Sequence, residues 1–592
     1  MADLHLNAFA VDAAAAWTSA IRFANRLVRG GHRVLLVTGV TEDDGGAPPP
    51  GSFVIPLTSA WDPGVTEPVE PATVRAEAAS AGIDLVPLST SSGLLVAPLA
   101  AVRVGLYGGG GAPFNHAAVL AECGFALRFL SDTEIRGGAL ATVDVLVMPG
   151  GGFRAMHGQI EPLGEEGCRA IADFVRHGGM YIGCCAGSYD CIVNSESFVG
   201  SCPAQRHLQL VNAGPWRGEE AVEFLDLQSP GVGVVTVTNE RPNHPVMFGM
   251  PPSFEISHYN GPVLNPLAEP AVEGASAVAG LAAFSGWTPR FTPAEAFAGP
   301  PESDKPTYLG QAIAAGRFSI VAGELGTGRV VAFGSHPEFG LDLPMHEWST
   351  PARMLANAVL WQAMARRSPA ASWGYSHAPG SIGVPRGVSL TAVKRAAAEV
   401  VDRAQTLRMQ SIEPRPQWLT PNYAMSVFGY PPDEIWCRSL DDIMSLADQT
   451  TRLVTDLGDT LANLGDGPLP EPLLDAVMHV ERWILDERPA EWRQDGGYQG
   501  VLALLRTAAR MCDEALARWD VILGPPAGPY GYVDTNPYHL VAGSYLAAIG
   551  CVVGALQLIR ALVAEVELAR QLAGREAERG LVGVGSARSF QG

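Results

Sequence analysis

The sequence predicts an α/β protein: a parallel sheet covered by helices on both faces, preceded by a small α/β unit and followed by an all-α bundle. Three observations carry this. Between residues 101 and 368, short and nearly continuous apolar runs alternate with helical stretches, the pattern of strands buried on both faces. The first hundred residues alternate helix and strand signals on a smaller scale. Beyond a Ser/Pro/Gly-rich stretch at 369–391, apolar residues recur only at helical spacing.

A chain of 592 residues is long enough for about two to four domains. The divisions expected are 1–100, 101–368, a linker at 369–391, a helical bundle over 392–580 and a flexible tail at 581–592. An apolar content of 47% fills several cores, and a net charge of −21 argues against a nucleic-acid partner or an anionic membrane surface. The nine cysteines are irregularly spaced with no C-x-x-C pair, so no disulfide framework is expected and a reducing cytoplasm is the expected compartment. No signal peptide is read at the N-terminus. Leu540 to Ile559 is uncharged and about long enough to span a bilayer. It also holds Ser544, Gln557 and several small residues, and reads as a buried bundle helix.

In chain order, Asp12 to Leu27 reads as a helix closed by Gly30 and Gly31, followed by strands at Val34–Thr38 and Ser52–Pro56, a helix at Thr73–Ala81 and a strand at Ile83–Val86. Strand Val102–Tyr107 ends in Gly108 to Gly111. A helix at His116–Cys123 and a strand at Ala126–Leu130 follow. Strand Val143–Met148 ends in Pro149-Gly150-Gly151-Gly152, and helix Glu165–Arg176 leads to strand Met180–Gly183. Val232–Val237, Phe254–Tyr259 and Phe318–Val321 read as strands that extend or cap the sheet. The bundle helices are expected at Leu390–Met409, Leu440–Leu464, Pro472–Asp486, Val501–Trp519 and His539–Leu572.

The chemistry concentrates at the carboxyl ends of the central strands, where parallel sheets place their sites. Cys185 sits in Gly183-Cys184-Cys185-Ala186-Gly187, with glycines two residues to either side. That spacing suits a strained strand-to-helix turn that presents one side chain, and a thiol beside a helix start is favoured as thiolate. The amides of the Pro149–Gly152 loop and of Ala186 are positioned by this reading to hold an oxyanion. Far along the chain, Gly334-Ser335-His336-Pro337-Glu338 places a histidine and a carboxylate at a strand end, the base and its orienting partner that a cysteine nucleophile requires. The Gly108–Gly111 loop reads as a tight turn beside the site rather than a phosphate cradle. Gly109, Gly110, Tyr189 and His258 are candidate pocket residues. Cys184, Cys191 and Cys202 are read as core thiols, and His244 as loop structure. No residue spacing indicates a metal site, and no cofactor is implied.

These residues resemble the class I glutamine amidotransferase-like superfamily, with its flavodoxin-like parallel sheet. They are more closely similar to the amidotransferase-like domain at the N-terminus of some eukaryotic biotin-protein ligases and in bacterial stand-alone relatives. The match rests on Pro149–Gly152, Tyr181–Tyr189, Tyr259-Asn260-Gly261-Pro262, Gly334–Glu338 and the helix Met354–Trp361. The resemblance implies Cys185 as nucleophile, His336 as base, Glu338 as its partner, and Gly151, Gly152 and Ala186 as the oxyanion hole. A fainter similarity, carried by Arg103–Tyr107, Ser131–Leu140 and Pro50–Pro56, is to the amidotransferase-like module of large bacterial zinc metallocarboxypeptidase-like proteins. No His-x-x-Glu zinc pair accompanies it, so only a hint of peptide-like substrates remains.

Three functions follow as expectations: a hydrolase or amidotransferase acting on a small-molecule or peptide-like amide, a non-catalytic scaffold or ligand-binding protein on the same fold, or a glutaminase subunit whose synthetase is a separate chain. No synthetase or biotin-ligase catalytic signature is present in the sequence. The helical bundle carries no catalytic constellation and is assigned to self-association or to docking a protein partner.

Overall fold

The structure, a computed structural model, describes residues 6–14, 16–41, 47–89, 93–109, 113–150, 155–194, 202–218, 230–259, 261–293, 295, 306–341, 348–365, 390–410, 435–464, 469–485, 500–517, 548, 551–567, 569–570 and 573–574. Residues 369–389 of the expected linker, the terminal tail, Gly110, Gly151 and Gly152 lie outside the described residues, and Thr391 already opens a helix.

The N-terminal part is a small α/β unit whose sheet is antiparallel. It is built from β1 (Ala8–Val11), β2 (Leu35–Val40), β3 (Phe53–Pro56), β4 (Val86–Leu88) and β5 (Leu94–Pro98), in the order β4-β1-β3-β2-β5. Its helices are α1 (Trp17–Arg29) and α2 (Pro71–Ala81). The expected helix start at Asp12 is corrected. The chain first runs as the buried strand β1, and Asp12 Oδ1 accepts the Ala14 amide at 2.7 Å, a local turn that competes with helix. Gly31, at φ 82°, stops α1 on the far side. α1 docks on the central unit: Asn25 Nδ2 donates to Cys123 O at 2.9 Å and Arg22 pairs with Glu122.

The central unit begins with β6 (Arg103–Tyr107), α3 (Phe114–Glu122), β7 (Ala126–Leu130), α4 (Asp132–Arg136), β8 (Val145–Met148), α5 (Ala155–Arg176), β9 (Met180–Cys184) and α6 (Ala186–Cys191). It continues with β10 (Ala213–Pro215), β11 (Gly231–Asn239), β12 (Ser253–Tyr259), β13 (Leu264–Pro266), β14 (Ala279–Trp287), β15 (Thr292–Pro293), α7 (Tyr308–Ala314), β16 (Phe318–Leu325), β17 (Gly328–Phe333) and α8 (Arg353–Ala365). The sheet order is β12-β11-β14-β16-β17-β9-β8-β6-β7, with β10, β13 and β15 branching from it. Strands β7, β6, β8, β9 and β17 are mutually parallel; from β16 outward the sheet turns antiparallel.

Side chains on the parallel strands alternate between two cores. Val104, Leu106, Val145, Val147, Ile182, Cys184, Val331 and Phe333 enter one, which continues into the N-terminal unit and the C-terminal helices. Tyr107, Leu146, Met148, Tyr181, Val330 and Ala332 enter the other, under α5. Burial on both faces is why these strands read as unbroken apolar runs. The register pairs Met148 with Gly183 and Phe333 with Cys184, so β8, β9 and β17 end side by side and their following loops converge.

β14 was not anticipated. Its sequence, Ala-Gly-Leu-Ala-Ala-Phe-Ser-Gly-Trp, is poor in β-branched residues and its pairing shifts register against both neighbours. Tertiary pairing between β11 and β16 makes it a strand. α5 extends further back than expected, broken at Gly164 (φ 59°) close to Pro162.

The C-terminal helices are α9 (Thr391–Gln410), α10 (Ile435–Ala462), α11 (Glu471–Leu485) and α12 (Val501–Ala517), with a further helical stretch at 551–567. α9 packs on α10 and α12. α11 covers the edge strand β7. His479 Nε2 accepts the Phe129 amide at 3.2 Å, His479 Nδ1 pairs with Glu565 at 2.5 Å, and Trp483 packs on Phe129 at 4.9 Å. An edge amide that would otherwise face outward is thereby satisfied. Among the described residues no helix is long and apolar enough to cross a membrane, and Ala548 and Cys551 to Ile559 are buried against the other helices, apart from Gly554, which packs on Phe114.

Candidate active site

The turn after β9 has the strain that its glycines announce. Cys185 adopts φ 51°, ψ −109°, a conformation that non-glycine residues rarely take. A Cβ on Gly183 would collide with Gly187 O, and one on Gly187 with Met148 O, so only glycine permits this approach of β8, β9 and α6. The turn is held from several sides. Cys185 N donates to Phe333 O at 2.8 Å, and Tyr181 Oη to Gly187 O at 2.7 Å. Ser188 Oγ lies 3.0 Å from Gly183 O and 2.6 Å from Phe333 O, so its one proton ties α6 to β9 or to β17. The eight described cysteines are all buried, and none of them is in a disulfide.

His336 and Glu338 follow β17. His336 N donates to Ser257 O at 2.8 Å, and its ring stacks on Phe339 at 4.4 Å with a 4° interplanar angle. Nδ1 lies 2.7 Å from Glu338 Oε1, and both side chains are buried. Nε2 has no hydrogen-bond partner among the described residues. Gly150, at the end of β8, stands between ring and thiol. A Cβ there would lie 2.7 Å from Cys185 Cβ and 2.8 Å from His336 Cε1. The structure therefore brings Cys185, His336 and Glu338 together around Gly150. The thiol itself donates to Tyr259 O at 3.1 Å, and Cys185 is 5% exposed.

Charge in this cluster is strongly biased. Burial alone lowers the pKa of His336, but the negative charges of Glu338 and Cys185 and the bond to Glu338 outweigh it and raise it above its ordinary range. Burial works to raise that of Glu338; His116 and His336 beside it win and hold it below the usual carboxylate range. Cys184, whose side chain enters the opposite core from Tyr181, is pushed well up by burial and then by Glu338.

His258 lies behind the site rather than in an open pocket. It is 1% exposed, its Nδ1 lies 2.9 Å from Ser335 Oγ, and Ser335 Oγ lies 2.7 Å from Ser319 Oγ. Burial, with the charge of His336, lowers its pKa to about 3. Tyr189 is buried in the core under α5. Gly109 packs on the Tyr107 ring; Tyr107 Oη donates to Gln159 O at 3.0 Å and Gln159 Nε2 to Pro149 O at 2.7 Å, which braces the loop leading to Gly150. His244 caps a short turn, its Nδ1 accepting the Val246 amide at 3.3 Å.

Sequence reasoning missed His116. It is fully buried on α3, with Nε2 3.6 Å from Glu338 Oε1. No local motif marks it, because α3 and the loop after β17 are over two hundred residues apart. Donor atoms of His116, Cys184 and Glu338 lie within 4.8 Å of one another. Within it Glu338 Oε1 is already bonded to His336 Nδ1, and burial holds Cys184 as a neutral thiol.

Residues 125–366 match the family described as Biotin-protein ligase, N terminal. Over those residues the chain is similar to that amidotransferase-like family. No curated protein matches the chain. Among solved structures, a ThuA-like protein from Bacteroides uniformis is 14% identical with a TM-score of 0.28, covering 44% of this chain and 90% of its own. PurLQS from Thermotoga maritima is 12% identical with a TM-score of 0.25, covering 44% of this chain and 97% of its own. A ThuA-like protein from Parabacteroides merdae is 13% identical with a TM-score of 0.26, covering 44% and 90%.

Proposed function

We propose that the central unit is a cysteine-dependent hydrolase or amidotransferase that cleaves the C–N bond of a small-molecule or peptide-like amide. One observation carries the reading: an imidazole fixed at Nδ1 by a buried carboxylate keeps Nε2 unoccupied on the side of a cysteine held in a strained turn. Cys185 is the nucleophile, His336 the proton carrier and Glu338 its orienting partner. The amides of Ala186, Gly151 and Gly152 are assigned to the oxyanion.

The thiolate sulfur attacks the amide carbonyl carbon, whose π electrons move onto oxygen. The C–N bond then breaks as His336 gives its proton to the leaving nitrogen, and a thioester remains on Cys185. Water, or an acceptor nucleophile, loses a proton to His336 and attacks that thioester; the C–S bond breaks and the thiolate returns. If the nitrogen leaves as ammonia, the same site serves as a glutaminase subunit for a synthetase on another chain.

A second reading, a ligand-binding scaffold, is favoured by the thiol's bond to Tyr259 O and by its near-complete burial. The two separate in one experiment. A chloroketone analogue of glutamine is expected to label Cys185 in the wild-type chain and not in Cys185→Ala, with ammonia release from amides lost in the same variant. An unlabelled wild-type Cys185 with intact ligand binding selects the scaffold.

A further inference from the structure

We propose that His116 is a positioning residue of this site: a second imidazole beside the Glu338 carboxylate oxygen that holds His336. The inference rests on the reading of Cys185, His336 and Glu338 given above. Glu338 is 1% exposed, and a buried carboxylate needs counter-groups to stay ionised. Its Oε1 is shared by His336 Nδ1 at 2.7 Å and His116 Nε2 at 3.6 Å. The second distance is that of an ion pair rather than a hydrogen bond.

The placement is specific. Beside His116 the helix buries Asn115 and the apolar Phe114, Ala117, Ala118, Val119 and Leu120, and at a fully buried position an aliphatic side chain would be the ordinary filler. The helix is itself fixed. α3 packs on α1 and α8, and its first residue, Phe114, lies against Gly554 of the C-terminal helices. The groups that titrate around Glu338 are His336 from its own loop, His116 from α3, and Cys184 and Cys185 from the end of β9; His258 faces His336 from β12. With two imidazoles at Oε1 that oxygen is held in place, which keeps the proton of His336 on Nδ1 and its Nε2 turned to Cys185.

The test reads Cys185 alkylation by iodoacetamide in the full-length chain, mapped by peptide mass, at about pH 5.5 and about pH 8. In His116→Leu, Glu338 loses one counter-group and takes up a proton at higher pH. With the carboxylate less fully ionised at the lower pH, alkylation is expected to be about tenfold slower there and near wild type at the alkaline pH. His116→Gln, which returns an N–H near the position of Nε2, is expected to recover most of the lost rate. Wild-type rates at both pH values in His116→Leu overturn the proposal, as does an equal loss at both that His116→Gln shares, because that marks a packing role. His336→Ala is the control. If it too leaves the wild-type profile unchanged, the thiol–imidazole reading falls and this inference with it. If it alters the profile while His116→Leu does not, only the inference on His116 falls.

Discussion

Replacing Gly150 by alanine probes the geometry at its tightest point. The added methyl would stand 2.7 Å from Cys185 Cβ, 2.8 Å from His336 Cε1 and 3.2 Å from Cys184 O. Ordinary contact begins at 3.4 Å, so ring and thiol must together yield more than an ångström, or the end of β8 must move. Neither neighbour is the free end of a flexible side chain. His336 is stacked on Phe339 and bonded to Glu338, and Cys185 is part of a strained backbone. Overpacking of this kind destabilises by roughly 1–3 kcal/mol, and an ångström of displacement between reacting groups lowers a rate by about a hundredfold. Gly150→Ala is therefore expected to fold with a lower melting temperature and to react with the glutamine chloroketone about a hundred times more slowly than wild type. Labelling at the wild-type rate with unchanged melting would refute the convergence of Cys185 and His336 on Gly150.

Further outcomes follow from the same contacts. Ser188→Ala removes the hydroxyl whose one proton ties α6 to Gly183 O or to Phe333 O, and urea denaturation is expected to show a loss of about 1–2 kcal/mol. His258 is buried neutral with its pKa lowered to about 3, so stability is present near neutrality and falls as pH drops below about 6.5, where the unfolded chain gains a proton that the folded one refuses. Denaturation of wild type and of His258→Gln between pH 7 and about pH 4 is expected to show a shallower decline in the variant. Trp483→Ala opens a cavity against Phe129, costing roughly 3–5 kcal/mol of the contact between α11 and β7. Hydrogen exchange at Phe129, whose amide is bonded to His479, is expected to rise by several hundredfold.

How much of this was legible differs from residue to residue. The turn at Cys185 was readable because Gly183 is required by a contact with Gly187 O within the turn, and Gly187 by one with Met148 O of the adjoining strand, so both glycines show in the sequence. His336 and Glu338 were readable for the same local reason: they end an apolar strand whose neighbour is β9. The parallel strands announced themselves through burial on both faces. β1 and β14 did not, because each is made a strand by its partners rather than by its own residues. His116 was invisible for a related reason. On its helix it is a buried polar residue in a mostly apolar stretch, and its meaning lies in a carboxylate brought close only by the fold. Tyr189 shows the limit at side-chain scale: which face of a six-residue helix it occupies depends on how α6 seats against α5, and that face is the core.

The central claim is that Cys185 reacts through His336. It is tested most directly by the alkylation rate of Cys185 at about pH 5.5 in wild type and in His336→Ala. With an imidazolium held by Glu338 beside the sulfur, wild type is predicted to react at least about tenfold faster. Equal rates in the two proteins would contradict it.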